Sequence, residues 1–197
     1  MIPRILVLAG SVRAASFNRR LAAVMAKELA LLGAEVTLVS ALDYPLPIYD
    51  GDFEDEKGVP EAAEKLARLV RAHDGVFLAS PEYNAGVSPL MKNTLDWVSR
   101  IGPPYAPRGS VFSRRPFAIG SASPGMAGGQ RGLMMLRQVL ELGLGAYVIS
   151  EQVLIQHATK AFDEAGELVD PRHQGLSRQV ARCLVEFISG EGLAKRS

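Results

Sequence analysis

Hydrophobic positions along the 197-residue chain fall into two alternating patterns. Residues 4–10 (RILVLAG), 34–40 (AEVTLVS), 75–80 (GVFLAS) and 116–122 (PFAIGSA) are short apolar runs, the reading expected of strands whose two faces are both covered in a parallel sheet. Residues 146–150 and 153–155 read as a fifth strand, with an allowance for an interruption between the two pieces. In the intervening stretches the period changes. Leu21, Val24, Met25, Leu29 and Leu32 recur at three- and four-residue steps before Gly33 ends the helix, and Ala63, Leu66, Ala67 and Val70 do the same behind Pro60. Further helices are predicted over 89–99, 133–142 and 176–188. Residues 45–56, 103–109 and 123–132 read as a proline-containing acidic loop, a proline-rich connection and a glycine-rich loop. Five strands alternating with five helices predict an α/β fold, a doubly wound parallel sheet with right-handed crossovers. A single domain is expected over residues 1–190, with 191–197 a frayed tail.

Composition narrows the partners. Twenty-two basic and 21 acidic side chains leave a net charge of +1, too small a field to favour nucleic acid or an anionic membrane, so a small molecule or another protein is expected. Lys27 and Glu28 interrupt the best apolar stretch, and no membrane span is predicted. The first residues enter a strand directly, without the basic and long apolar regions of a secretory leader, so the expected location is cytoplasmic. The single cysteine, Cys183, sits in an apolar stretch and reads as a core residue, and no His/Cys cluster has the spacing of a zinc site.

In doubly wound sheets ligands lie beyond the carboxyl ends of the strands where the strand order reverses, so the loops after the first, third and fourth strands are where chemistry is expected. The first contains Gly10, Ser11, Arg13, Ser16, Phe17 and Asn18. Two hydroxyls, an amide, a guanidinium and the free N–H groups of a helix start suit a phosphate monoester. On the plainer reading Ser16 only caps the helix and Arg13 is a solvated charge. The loop lacks both the G-x-x-x-x-G-K-[ST] spacing and the G-x-G-x-x-G spacing. The second loop runs Pro81, Glu82, Tyr83, Asn84 and on through Lys92, Asn93, Asp96 and Trp97; the third holds Ser123, Pro124 and Gly125. Trp97 has the helical spacing of a packing residue, Lys92 and Asp96 that of a surface pair, and His73, His157 and His173 fall outside the three loops and receive no catalytic role.

G-S-x-R-x-x-S-x-N after the first strand, followed by P-E-Y-N-x(7)-K-N-x-x-D-W after the third, resembles the NADPH-dependent FMN reductase family of flavodoxin-like proteins, which includes bacterial quinone and chromate reductases and azoreductases. The likeness covers nearly the whole chain. It implies a flavodoxin-like three-layer sandwich with a five-stranded parallel sheet. It also implies FMN as cofactor, with Ser11, Arg13, Ser16, Phe17 and Asn18 at its phosphate, Pro81, Glu82, Tyr83 and Asn84 along its ring, and Ser123, Pro124 and Gly125 on the other flank. The implied activity is ping-pong hydride transfer from NADPH or NADH through FMN to a quinone, azo compound, metal oxyanion or free flavin. No catalytic side chain and no metal are required. A homodimer or homotetramer is implied as well. Ser88-Pro89 and a long stretch over 101–115 depart from the family pattern and bear on acceptor preference. Arg100, Arg108, Arg114 and Arg115 read either as a grip on the NADPH phosphate or as a solvated basic edge. The rival readings are a flavodoxin-like electron carrier, which the balanced charge disfavours, and an FMN-holding redox sensor. A receiver domain would need acids after the first strand, and a serine hydrolase a G-x-S-x-G elbow; neither is present.

Overall fold

A computed structural model of the protein describes residues 1–102 and 111–190. The expected proline-rich connection falls largely on 103–110, and the expected tail on 191–197; both lie outside the described residues. The strands β1 (Arg4–Ala9), β2 (Glu35–Ser40), β3 (Gly75–Ala79), β6 (Pro116–Ala122) and β7 (Tyr147–Ile155) form one parallel sheet in the order β2-β1-β3-β6-β7. A short hairpin, β4 (Glu82–Tyr83) and β5 (Gly86–Val87), stands apart from it. The helices are α1 (Phe17–Leu31), α2 (Gly51–Lys57), α3 (Glu61–Ala72), α4 (Pro89–Ser99), α5 (Gln130–Gln138) and α6 (Pro171–Ser189).

Period-two alternation within the strands divides the core between two faces. Ile5, Val7 and Ala9 of β1 pack with Phe77, Ala118 and Val153 beneath α1 and α6. Their neighbours Leu6 and Leu8 join Val76, Phe117 and Ile119 beneath α3, α4 and α5. Because each strand is covered on both sides, almost every residue of β1 and β3 is buried, which is why these strands read as unbroken apolar runs. The expected interruption in the fifth strand is a register shift: Phe117 pairs with Val148, but Ile119 pairs with Gln152.

Three local expectations are corrected. The acidic segment expected to be loop contains α2, for Asp50 caps it through bonds from the Asp52 and Phe53 N–H groups and Gly58 ends it. Tyr49 and Phe53 then meet Trp97 edge-on, at centroid distances of 5.0 and 5.9 Å, so Trp97 is the fully buried packing residue its spacing predicted. The last helix starts five residues early, at Pro171 behind its cap Asp170. The turn after the third strand is the β4–β5 hairpin, reversed by Asn84 and Ala85 with φ of 50° and 62°. Positive φ at both turn positions gives the type I′ geometry that suits strand twist, although the sequence lacks the Asn-Gly that usually announces it.

Candidate functional site

The strand order reverses between β1 and β3, which puts the switch point between the first and second loops. Gly10 follows β1, and its N–H donates to the Ala79 carbonyl at 2.8 Å. A side chain at Gly10 would come within 2.9 Å of the Met91 side chain and 3.1 Å of Ser88 Oγ, so glycine is what lets α4 start here. Ser88, fully buried, locks that approach: its hydroxyl donates to the Gly10 carbonyl at 2.9 Å and accepts from the Met91 N–H.

A cleft of about 260 Å³ opens above this point. Its lining brings together Ser11, Arg13, Ser16, Phe17 and Asn18 from the first loop, Pro81, Glu82 and Tyr83 from the second, and Ser123 and Pro124 from the third. Ala15 and Ala122 complete it, residues too small and apolar to stand out in the sequence. Asn84 and Gly125 lie outside the lining. Asn84 occupies the hairpin turn, where its tolerance of positive φ is what the chain uses. Gly125 instead serves its own loop, its carbonyl accepting from Gly128 N–H and its N–H donating to Ser123 Oγ.

The cleft's polar groups divide into committed and free. Ser16 caps α1, its Oγ accepting from the Arg19 N–H, so the capping reading is correct as far as it goes. Asn18 is buried and spends both ends of its amide on β6, donating to the Ala122 carbonyl at 2.9 Å and accepting from the Ala122 N–H at 3.0 Å. The amide thereby fastens the start of α1 to the end of β6, with one of its two Nδ2 hydrogens used in doing so. Glu82 is similarly engaged. Its Oε1 accepts from the Arg131 guanidinium at 2.6 Å and its Oε2 from the Gly132 N–H at 3.0 Å, so its carboxylate faces α5 and fixes the hairpin against it. Burial alone would raise the Glu82 pKa, but the Gly132 N–H and the Arg131 guanidinium together hold it below its ordinary value. A side chain on Gly132 would press within 3.2 Å of the Glu82 Cα, so hairpin and helix are in close backbone contact.

Against these stand the free groups. Among the described residues the Arg13 guanidinium has no carboxylate or carbonyl partner, and the nearly buried Ser11 hydroxyl has none either. The first N–H groups of α1, on Phe17 and Asn18, have no intrahelical acceptor by geometry, and no acidic side chain occupies the first turn. A guanidinium, a hydroxyl and helix-start N–H groups around one space form a donor set matched to a dianionic phosphate. On the opposite wall the half-exposed Tyr83 and Pro81 offer flat apolar surface. Phosphate donors at one end and an apolar slot at the other fit a flavin mononucleotide.

Of the four arginines read as a second phosphate grip or a solvated edge, the three described ones, Arg100, Arg114 and Arg115, do not line this cleft. Arg100 closes on Glu54 at 2.9 Å, and Arg115 donates to the His73 carbonyl near the amino end of β6. Arg114 lies beside it, its N–H bonded to the Gly145 carbonyl, and Arg108 is outside the described residues. The K-N-x-x-D-W motif is a brace: Asn93 accepts from Tyr49 N–H and donates to the Pro47 carbonyl, which Trp97 Nε1 also reaches at 2.7 Å. Lys92 and Asp96 form the expected exposed pair.

Comparison with known proteins agrees with this geometry. The chain is 33% identical over 182 residues to an NAD(P)H-dependent FMN reductase of Pseudomonas aeruginosa, with 92% of each chain covered. It is 34% identical over 169 residues to a quinone reductase of Escherichia coli, with 85% of each covered. Its structure matches that of a flavoenzyme NAD(P)H:(acceptor) oxidoreductase from Paracoccus denitrificans with a TM-score of 0.80 and 26% identity, covering 96% of this chain and 98% of that one. The model of one family, NADPH-dependent FMN reductase, matches residues 3–160, and the chain belongs to that family.

Proposed function

We propose that this protein is an FMN-dependent NAD(P)H oxidoreductase whose cofactor occupies the cleft at the carboxyl ends of β1, β3 and β6. The observation that carries the reading is the convergence of the unpaired Arg13, the free Ser11 hydroxyl and the start of α1 at the strand-order switch. Ser11, Arg13, Ser16 and the backbone N–H groups of Phe17 and Asn18 hold the phosphate. Pro81, Glu82 and Tyr83 on one side, and Ser123 and Pro124 on the other, take the ring, with Glu82 contributing through its backbone because its carboxylate is committed to α5. FMN held there would supply the redox chemistry that connects NADPH or NADH as hydride donor to a quinone, azo compound, metal oxyanion or free flavin as acceptor. The chain's own part is positional. Asn18 and Glu82 lock the walls of the cleft, Ser88 and Gly10 fix its floor, and the exposed Tyr83 leaves one side open to visiting molecules. No side chain need transfer a proton for hydride to move.

The same end of the molecule supports self-association. Met126, Met134 and Met135 are exposed around α5 and the loop before it, and α5 packs against the hairpin that carries Tyr83. Such an apolar patch beside the cleft fits a second copy of the chain, as a homodimer or homotetramer. A 21.2 kDa species alone in sedimentation would contradict that.

An absorption spectrum of protein loaded with FMN and freed of excess, recorded before and after anaerobic NADPH and NADH, tests the function. Bleaching by either nucleotide is the expected result. Bound flavin that neither nucleotide reduces would favour the carrier or sensor reading, and failure to retain flavin would contradict the cleft assignment.

A further inference from the structure

Beside the cleft assigned to FMN lies a second, larger groove of about 550 Å³, bounded by the first turns of α1, the carboxyl end of β2 and residues 165–167. The two spaces share Ser11 and Ser16, so they meet at the first loop. One wall of the groove is built from Ala14 of the first loop and Ala22 and Ala23 of α1, and the half-exposed Leu38 of β2 lines the same space, leaving room for a flat ring against small apolar surface. Its cations are Arg19 and Arg20, both exposed. They sit at the third and fourth positions of α1, where the partial positive charge of the helix start opposes a cation, and no acid in that turn offsets them. Neither guanidinium has an ion-pair partner among the described residues, whereas Arg4, Arg68, Arg100, Arg131, Arg137, Arg172 and Arg178 all meet carboxylates. Two carboxylates border the groove: Glu167 is engaged with Lys27 at 2.6 Å, and Asp43 lies in the 3-10 turn that follows β2.

We propose that this groove binds the adenosine half of NADPH, with Arg19 and Arg20 gripping its 2′-phosphate and so setting preference for NADPH over NADH. The inference rests on the reading of the adjoining cleft as the FMN site, since one dinucleotide must reach from that cleft into the groove. Arginine suits the task because its planar fork presents paired donors to phosphate oxygens. A rival basic cleft, lined by His157, Lys160, Arg172 and His173 at the end of β7, shares no lining residue with the flavin cleft, and its Arg172 is held by Asp170 at 2.7 Å.

The test is calorimetric titration of FMN-loaded protein with adenosine 2′,5′-bisphosphate, together with KM for NADPH and NADH, in the wild type, in the double variant Arg19→Gln/Arg20→Gln and in Lys160→Gln. Loss of two charge-assisted contacts predicts roughly a tenfold or greater fall in bisphosphate affinity and a comparable rise in KM for NADPH in the double variant, with KM for NADH moving less than about threefold. Lys160→Gln should match the wild type. In the wild type itself, added salt should raise KM for NADPH more steeply than KM for NADH. Bisphosphate affinity unchanged within about twofold in the double variant, equal losses for both nucleotides, or the same loss in Lys160→Gln would overturn the proposal. A wild type that binds the bisphosphate but no FMN would instead refute the flavin assignment while leaving the arginine contacts measurable.

Discussion

The two ends of the sheet treat their polar groups in opposite ways. At the amino end, most charges and hydrogen-bonding groups are consumed by the fold, the exposed Arg114 side chain being an exception. Asp74 accepts from the Arg4 N–H, Arg115 donates to the His73 carbonyl, and the buried His73 ring is bonded at Nδ1 to the Leu69 carbonyl and at Nε2 to Thr37 Oγ1. At the carboxyl end, Arg13, Arg19 and Arg20 have no ion-pair partner among the described residues, the buried Ser121 hydroxyl is unpartnered, and Asn84, Ala85 and His157 hold positive φ. A fold that satisfies one end and leaves the other unsatisfied is keeping donors for something it does not itself contain. The exceptions sharpen the contrast, since Asn18 and Glu82 belong to the carboxyl end yet are bonded to their neighbours in the fold. They hold the walls so that the free groups stay aimed.

The largest expected effect tests those exceptions. Asn18→Ala strands both the Ala122 N–H and carbonyl in a buried place, and chemical denaturation should show a loss of about 2–4 kcal/mol. A near-neutral result would mean that these two bonds do not hold the wall of the cleft. Next, Arg115→Ala removes a half-buried guanidinium from the amino end. Stability should fall by about 1–2 kcal/mol while FMN affinity stays unchanged, and a change in FMN affinity would break the division between the two ends. Glu82→Gln should cost about 1 kcal/mol at neutral pH, because charge-assisted bonds to Arg131 and Gly132 become neutral ones. The Glu82 carboxyl titrates below its ordinary value in the folded protein, so its contribution is complete above the unfolded pKa and is lost as pH falls through the folded one. Wild type and variant should therefore converge in acid, and a gap independent of pH would contradict the assignment. The smallest effect is at the hairpin turn: Ala85→Gly relieves a left-handed alanine at the expense of a more flexible unfolded chain, for a net gain of about 0.5 kcal/mol in thermal melts.

Strands were the most legible part of this fold, since β1 and β3 are buried on both faces and their apolar runs admit little else. The acids and prolines of segment 45–56 suggest a loop, whereas Asp50 and Gly58 are a cap and a stop around one short helix braced from outside by Trp97. The hairpin was invisible for a related reason: Asn-Ala is a weak turn signal, and it is the close packing of Gly132 on Glu82 that holds the turn in place. At the candidate site, the motif identified most of the residues that gather, Asn84 and Gly125 excepted, but not what each side chain does. That Asn18 faces Ala122, 104 residues away, and that Glu82 faces Gly132 depend on tertiary neighbours that spacing cannot supply. Arg19 and Arg20 fall outside every motif in the sequence, and their place on a groove comes only from the fold.

The account turns on Arg13 as a phosphate ligand kept free by the fold. Fluorescence titration of the apoprotein with FMN and with riboflavin, which lacks the phosphate, isolates that role in the wild type and in Arg13→Gln. The wild type should prefer FMN, and the variant should lose roughly 10- to 100-fold in FMN affinity with riboflavin binding and stability little changed. An Arg13→Gln variant that keeps the full preference for FMN over riboflavin would contradict the account.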